Sequence, residues 1–230
     1  TQQCDILSCA YASHGDTKHV CLYPANPEEA FYLSVNAFDI AEQLQTPVFV
    51  LTDLDIGMND WMIKDLDWDD KYTPERGKVL GETELEDIEQ FHRYLDSDGD
   101  GIPYRTIPGV HPKGAYFTRG SGHNKFGGYT EDADEYQDVV DRLLIKWETA
   151  KSIVPSPIKD FNKKNKMAIL SIGSCDDAIR EARDMMTKDG YDFNYLRVRA
   201  FPFSNEVSEF IDAHETVYVI EQNRDGQLLK

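Results

Sequence analysis

The first candidate site in the sequence is Ser13-His14-Gly15-Asp16, which precedes a short apolar run. His14 and Asp16 could orient a substrate or a cofactor, because histidine is the side chain best suited to proton transfer near neutral pH. A polar turn, whose side chains satisfy backbone groups before a strand, explains the same residues. The sequence leaves both interpretations open.

A second candidate site is a glycine-rich segment in which His123 lies between two cations, Arg119 and Lys125. Backbone amides and cations together can hold a phosphate or a carboxylate. The alternative is a flexible connection between domains. The glycines that define the segment are Gly114, Gly120, Gly122, Gly127 and Gly128.

Asp96, Asp98 and Asp100, followed by Gly101, match the first half of a calcium-binding loop. The twelfth position is Ile107, where such a loop needs a bidentate glutamate, so an EF-hand is excluded. A looser calcium site or an acidic turn remains. We expect three carboxylates without a closing ligand to bind calcium only weakly.

Two further polar segments follow predicted strands. Gly173-Ser174 lies before a helix, where phosphates often bind, but Asp176 and Asp177 occupy the first helical turn and would repel one. Structural capping is therefore the preferred interpretation. For Glu221-Gln222-Asn223 we expect a satisfied polar network or a subunit contact rather than catalysis.

Composition excludes several classes of protein. The chain has 230 residues, 40% of them hydrophobic, and a formal net charge of −18. Residues 53–100 hold 16 acidic and 5 basic side chains. Such a surface repels phosphate backbones, so nucleic-acid binding is not expected. No apolar run is long enough for a membrane helix, and we expect no membrane association.

The four cysteines, Cys4, Cys9, Cys21 and Cys175, form no Cys-x-x-Cys pair. An iron–sulfur cluster usually needs four closely spaced thiolates, so we expect free thiols in a reducing compartment, the cytoplasm. The chain begins at Thr1 in what reads as the middle of a domain. We therefore expect it to be the second half of a larger subunit.

The candidate residues are positioned by alternating strands and helices. A strand at His19–Tyr23 leads to a helix that begins with Asn26 as its cap, and the apolar run Val48–Leu51 predicts a strand buried on both faces. This strand–helix–strand unit implies a parallel sheet. A second alternation of strands and helices occupies residues 167–220.

Between these alternations the periodicity is poor. From Asp53 to about Lys125 we predict a long excursion with one short helix near Glu84–Tyr94, and such a segment suggests packing on another domain or subunit. A helix with an apolar stripe is predicted at Glu131–Lys151. The stripe comprises Tyr136, Val139, Val140, Leu143, Leu144 and Trp147.

Several segments, taken together and in order, resemble the alpha subunit of 2-oxoacid:ferredoxin oxidoreductases. Residues 13–19 resemble the His-Gly-Asp-Thr segment near the end of that subunit's thiamine-pyrimidine domain, and residues 37–53 resemble the helix and strand that follow it. Residues 100–109 and 120–131 resemble its connecting segments. Residues 171–174 and 221–227 resemble its second domain, which is similar to a transketolase C-terminal domain.

The resemblance implies an α/β fold in three parts. Residues 1–60 would be the C-terminal part of a thiamine-pyrimidine domain with a parallel sheet, and residues 61–125 an acidic connecting segment. Residues 126–230 would be a transketolase C-terminal-like domain.

The resemblance also implies a function. Such enzymes oxidatively decarboxylate a 2-oxoacid, with 2-oxoglutarate favoured here, to an acyl-coenzyme A, and they reduce ferredoxin. Thiamine diphosphate with Mg and an iron–sulfur cluster would be held mainly outside this chain, with none bound to it alone. The beta subunit would be its partner, and coenzyme A and ferredoxin would be reached through the complex. Because ferredoxins are acidic, ferredoxin should dock on the partner, and the acidic stretch should face solvent or a basic patch there.

Two other functions stay open. The chain could be a non-catalytic module that assembles the subunits of such a complex, or an acidic surface protein stabilised by calcium. The activating glutamate and the contacts to the substrate carboxylate belong to upstream sequence in this family, so the resemblance places no catalytic residue here beyond the candidates His14 and Asp16.

Overall fold

A computed structural model describes residues 5–13, 15–118, 120 and 122–230. Cys4 and the candidate residues His14 and Arg119 lie outside the described residues. The chain is an α/β protein with one three-stranded, one two-stranded and one four-stranded sheet in its described part. No helix within the described ranges is long and apolar enough to cross a membrane.

The first sheet contains the predicted strand–helix–strand unit. After α1 (Ile6–Ala10), β1 (Val20–Leu22), α2 (Pro27–Leu44) and β2 (Val48–Val50) follow, and β1 pairs with β2 in parallel, as predicted. The Asn26 side chain accepts a hydrogen bond from the Glu29 amide and caps α2, which confirms the helix start.

One expectation for this sheet was wrong. β2 is not buried on both faces: its three residues are only half-buried, and burial becomes complete at Leu51. The reason is its position: the strand order is β2-β1-β8, with β8 at Ala200–Phe201, so β2 lies at the edge of the sheet. An apolar run alone does not distinguish an edge strand from a central one.

The second sheet has the order β5-β7-β6-β9. β6 (Met167–Ile172), β7 (Asn194–Val198) and β9 (Thr216–Ile220) run in parallel and confirm the predicted strands. They are connected through α6 (Cys175–Lys188) and α7 (Asn205–Asp212). Two short strands were not predicted: β5 (Ile158–Asp160) pairs antiparallel with β7, and β8 (Ala200–Phe201) pairs antiparallel with β1.

The predicted excursion contains little regular structure. It consists of α3 (Leu54–Met58), α4 (Glu82–Asp87), a 3-10 turn at Pro112–Gly114 and a small parallel sheet. That sheet pairs β3 (Val79–Leu80) with β4 (Arg105–Thr106). The predicted helix near Glu84–Tyr94 was placed too late, because Ile88 already has extended backbone and ends α4.

α5 (Ala133–Ile153) confirms the predicted long helix, and the Asp132 side chain caps it. Its apolar stripe is only partly covered, since Tyr136 and Leu144 are about half exposed and Ala150 is the one buried residue of the helix. The stripe therefore lines a cavity rather than the centre of the core.

One hydrophobic core joins the two alternations of strands and helices. Cys21, Tyr23 and Leu51, from the first sheet and the residues after it, pack with Leu170 and Leu196 of the second sheet in a single buried cluster. β8 adds backbone hydrogen bonds across the same boundary. The division into domains stays a prediction, but the packing joins the residues on both sides of it.

Candidate functional site

A cavity of about 330 Å³ lies between the segment after α1 and the apolar stripe of α5. Asp16 and Lys18 line it from one side, and Leu144, Lys146 and Trp147 line it from α5. Of the candidate residues from the sequence, Asp16 is the one in the described part of the chain that faces this cavity. Apolar walls with a few charged groups suit a small organic molecule.

Asp16 is held at the edge of the cavity by α5. Its Oδ2 accepts a hydrogen bond of 2.7 Å from the Tyr136 hydroxyl, which raises the pKa of Tyr136. Asp16 has a positive φ of 58°, a conformation that aspartate tolerates better than most residues. The predicted turn is therefore observed, and its carboxylate bonds to another element as well.

Lys146 is the charged residue of the cavity that the sequence did not reveal. Its ammonium group donates hydrogen bonds to Thr46 Oγ1 at 2.5 Å and to the Leu44 carbonyl oxygen at 3.2 Å. Burial lowers the pKa of Lys146 to about 8, with a further contribution from the charges of Arg142 and Arg93. The helical pattern of the sequence would predict Lys146 to be an exposed lysine, so nothing in the sequence indicates its burial in the cavity.

His19, which the sequence analysis treated only as the start of a strand, is buried beside this site. Its Nε2 lies 3.4 Å from Ser13 Oγ, and its ring packs edge-on against Phe49. Nδ1 is buried and has no hydrogen-bond partner among the residues that the structure describes. Burial lowers the pKa of His19, and the charge of Lys146 lowers it further.

The glycine-rich segment makes local contacts. Asn124 Oδ1 accepts hydrogen bonds from the amides of Phe126 and Gly128, which are two of the groups that could have held an anion. The His123 ring stacks on Tyr94 with 3.9 Å between centroids. Lys125 Nζ lies 3.8 Å from an Asp138 carboxylate oxygen. These contacts favour a structural connection.

The three aspartates of the calcium-like loop do come together, with ligand atoms within 4.8 Å of one another. Lys78 Nζ lies 2.6 Å from Asp98 Oδ1 and 2.7 Å from Asp100 Oδ1. Asp96 accepts hydrogen bonds from the amides of Gly99 and Gly101. The ammonium group of Lys78, the residue before β3, thus offsets part of the loop's negative charge. Weak calcium binding stays a prediction.

At the carboxyl ends of the parallel strands the polar residues are bonded to one another. Ser174 Oγ donates a hydrogen bond of 2.5 Å to Asp53 Oδ2 and accepts one of 2.7 Å from Gln222 Nε2. Asp53 also caps α3. β6 and β9 are parallel neighbours that end here, and open α/β sheets often bind ligands outside the carboxyl ends of their strands. Here this edge is filled by a satisfied network.

A second network contains a buried ion cluster. Arg197, 3% exposed, donates from Nη1 to Glu29 Oε2 at 2.7 Å, and Arg199 Nε donates to Glu29 Oε1 at 2.7 Å. Asp176 accepts a hydrogen bond of 2.8 Å from the Tyr195 hydroxyl. Asp176 thus has structural partners, but they are the side chains of Arg180, Tyr195 and Arg197 and not the helix-end amides that the capping interpretation expected.

These contacts bear on the cofactors. The acidic groups near the ends of β1 and β2, Glu29 and Asp53, are both engaged within the chain, so they do not fit thiamine diphosphate as they stand. The described cysteines do not fit an iron–sulfur cluster: Cys9 and Cys21 are buried and their thiol pKa values are raised by burial, to about 12 for Cys21. Cluster ligands must be thiolates. We derive no step through either group.

The chain resembles known proteins over nearly its whole length. Residues 1–90 match the family model described as pyruvate flavodoxin/ferredoxin oxidoreductase, thiamine diphosphate-binding. The chain is 29% identical over 234 residues to subunit alpha of 2-oxoacid:ferredoxin oxidoreductase 2 from Aeropyrum pernix, a match covering 99% of this chain and 35% of that protein. It is 24% identical over 230 residues to 2-oxoglutarate synthase subunit KorA from Archaeoglobus fulgidus, covering 99% of this chain and 56% of KorA.

A solved structure shares the fold. The 2-oxoglutarate:ferredoxin oxidoreductase from Magnetococcus marinus, with 2-oxoglutarate, coenzyme A and succinyl-CoA bound, superimposes with a TM-score of 0.83 at 20% identity. The match covers 99% of this chain and 39% of that one. The chain thus spans about a third of the length of the first of these relatives.

Proposed function

We propose that this chain, which is homologous to part of the alpha subunit of 2-oxoacid:ferredoxin oxidoreductases, serves in the oxidative decarboxylation of a 2-oxoacid. The main support is that the sequence similarity and the structural similarity each extend over 99% of the chain. No segment is therefore left to be explained by a different family. We favour 2-oxoglutarate as the substrate, since relatives of that type are among the matches. The products would be an acyl-coenzyme A and reduced ferredoxin.

Within this enzyme the chain's described residues would serve to hold the assembly together. The shared core and the Glu29–Arg197–Arg199 cluster connect its two alternations of strands and helices. We place thiamine diphosphate, Mg and the iron–sulfur cluster on other parts of the protein and on a beta subunit. Asp16, at the edge of the cavity, is the described candidate for a contact with substrate or cofactor, whereas His123 and Lys125 have local partners.

The test is an activity assay of the full-length protein assembled with its beta subunit. We expect reduction of ferredoxin that requires 2-oxoglutarate, coenzyme A and thiamine diphosphate together, and slower turnover with pyruvate. Asp16→Asn should lower kcat more than Asp134→Asn, a matched change of an exposed acid on α5. An assembled complex without any turnover of 2-oxoacids would refute the proposal.

The alternative is a non-catalytic module that assembles subunits. The observation that favours it is an exposed segment rich in apolar and acidic side chains after α3. The assay above distinguishes the two roles. If the chain only assembles subunits, Asp16→Asn should leave kcat unchanged, whereas a catalytic role predicts a lower kcat.

A further inference from the structure

Lys146 brings to the cavity beside α5 an amine that the proposed function does not use. Its Nζ donates to Thr46 Oγ1 at 2.5 Å and to the Leu44 carbonyl oxygen at 3.2 Å. A neutral amine has two N–H groups for these two acceptors, and its lone pair is then left over. Because Lys146 lines the cavity, a small molecule that enters there can reach this lone pair.

The cavity around the amine is largely apolar and open to solvent at one side. Leu143 and Trp147 contribute to its walls, and the half-exposed Tyr11 and Leu144 lie where it meets solvent. Burial among apolar groups disfavours an ammonium ion, and a desolvated lysine is the better nucleophile near neutral pH. Burial is accordingly the main reason why the pKa of Lys146 is lowered to about 8.

Neighbouring positive charges act in the same direction. Lys146 forms no ion pair within the described part of the chain, and the charges of Arg142 and Arg93 contribute to the lowering of its pKa. Lys18 lines the same cavity, with its Nζ 5.6 Å from the centre of the Trp147 ring. A negative group on Nζ would turn these repulsions into attractions.

The other titratable groups beside the cavity do not reverse this balance. Asp16 is the one carboxylate among the described residues that line it. Asp16 is exposed and bonds the Tyr136 hydroxyl, so solvent screens its charge. His19 is buried nearby, and its lowered pKa keeps it neutral near neutral pH. The charge around Nζ is therefore positive on balance.

We propose that Lys146 reversibly binds carbon dioxide as a carbamate. The Nζ lone pair forms a bond to the carbon of carbon dioxide, the electron pair of one C=O bond moves onto its oxygen, and one proton leaves Nζ for water. The product is an N-carboxylate with one remaining N–H, which can keep the bond to Thr46 Oγ1. The Leu44 carbonyl oxygen stays satisfied, because the Thr46 hydroxyl donates to it at 3.1 Å.

This inference goes beyond the proposed function and does not depend on it. Nothing is oxidised or reduced in the step, and carbon dioxide is its only reactant besides the amine. Carbon dioxide is also a product of the decarboxylation proposed above. A carbamate at Lys146 would therefore reverse a charge inside the cavity when that product accumulates.

The test is to equilibrate the full-length protein with carbon dioxide and bicarbonate at pH 8 and to trap carbamates as esters with a trialkyloxonium reagent. Mass spectrometry then locates the esters. At this pH about half of Lys146 is neutral, against about one part in three hundred of a lysine with a pKa of 10.5. Trapped carbamate at Lys146 should therefore exceed that at the exposed Lys164 by about tenfold or more.

Variants of the full-length protein test the surroundings of the amine. Lys18→Gln should lower the trapped fraction at Lys146 by about two- to fivefold, the range for losing a partly exposed ionic partner. Lys163→Gln is the matched change of an exposed lysine and should leave that fraction unchanged. Lys146→Arg should abolish the ester at this position, because a guanidinium group is not deprotonated in proteins.

Two outcomes would overturn the carbamate. One is a trapped fraction at Lys146 no higher than that at Lys164. The other is a trapped fraction that stays the same from pH 8 to pH 6 at constant dissolved carbon dioxide, because the ammonium form cannot react and the fraction should fall. The proposed function is judged separately by turnover of 2-oxoacids, so an active complex without the ester refutes the carbamate alone.

Discussion

Gly101 lies directly against the backbone of Lys146 in α5. A Cβ atom added to Gly101 would overlap with the Lys146 amide nitrogen and would lie 2.7 Å from the Arg142 carbonyl oxygen. Arg142 Nη1 and the Thr149 hydroxyl donate to the carbonyl oxygens of Gly101 and Asp100 from the same helix face. The calcium-like loop at residues 96–101 therefore packs directly against α5, and its last residue, Gly101, permits that close approach.

Gly101→Ala should destabilise the protein by about 3 kcal/mol, because it combines a positive φ of 80° with overlap against a helix backbone. Gly99→Ala is the matched control. It has a φ of 83° but no atom near the added Cβ, so it should cost about 1 kcal/mol from strain alone. Urea denaturation measures both. Equal losses would show that the contact with α5 is unimportant.

Glu29→Gln should destabilise the protein by about 3 kcal/mol at pH 7, since it removes the carboxylate that pairs with the buried Arg197 and the partly exposed Arg199. Burial by itself would raise the pKa of Glu29, but the hydrogen bond and charge of Arg197 outweigh it and lower the pKa. A lowered pKa contributes stability above the unfolded value of 4.5, and this is lost as pH falls through the folded value. The difference in stability between parent and variant should therefore shrink as pH falls below the unfolded value of 4.5 and through the lowered folded pKa of Glu29. A difference that does not change with pH across the acidic range would contradict this account.

Lys78→Met should make the calcium-like loop respond to calcium. The ammonium group lies between Asp98 and Asp100. Burial by itself would lower the pKa of Lys78, but its hydrogen bonds to Asp100 and Asp98 raise it, and the bond to Lys78 lowers the pKa of Asp98. Millimolar calcium should stabilise the parent by less than about 3 kcal/mol, which corresponds to about two hundred times the dissociation constant. The variant should gain more than the parent in thermal melting, whereas Lys151→Met, which removes an exposed pair with Glu148, should not.

Lys146 should titrate near pH 8, far below an ordinary lysine. Because its folded pKa lies below the unfolded 10.5, the folded chain binds fewer protons, and this group adds stability as pH rises from about 8 to about 10.5. NMR of the Nζ resonance provides the measurement, with the exposed Lys164 as the comparison. Lys146→Met should flatten the same part of the stability profile. A resonance that titrates near 10.5 would show that Lys146 Nζ is not buried beside Thr46.

The chain by itself should not bind thiamine diphosphate tightly. Glu29 on α2 and Asp53 after β2 are bonded within the chain and cannot serve the cofactor without rearranging. Calorimetry should detect no submicromolar binding, and the assembled full-length enzyme is the positive control. Submicromolar binding by the chain alone would contradict this interpretation.

The sequence was enough for what depends on local pattern. The cap at Asn26, the helices α2, α5 and α6 and the strands β6, β7 and β9 follow from periodicity and end signals that act within a few residues. The ordered motifs from Ser13 to Gln227 were enough to recognise the family. The turn at Asp16 was one of the two interpretations that the local sequence offered, and the positive φ of Asp16 agrees with it.

Only the tertiary structure determined which polar and charged side chains pair with one another. Glu29 and Arg197 are 168 positions apart, Ser174 and Asp53 are 121 apart, and Lys146 reaches Thr46 across 100 positions. Neither periodicity nor composition predicts such pairings, because these contacts form only where elements distant in the sequence pack together. For the same reason the sequence did not show that β2 is an edge strand, because strand order depends on how the whole sheet assembles. β8 was missed because a strand of two residues is too short to show a periodic pattern.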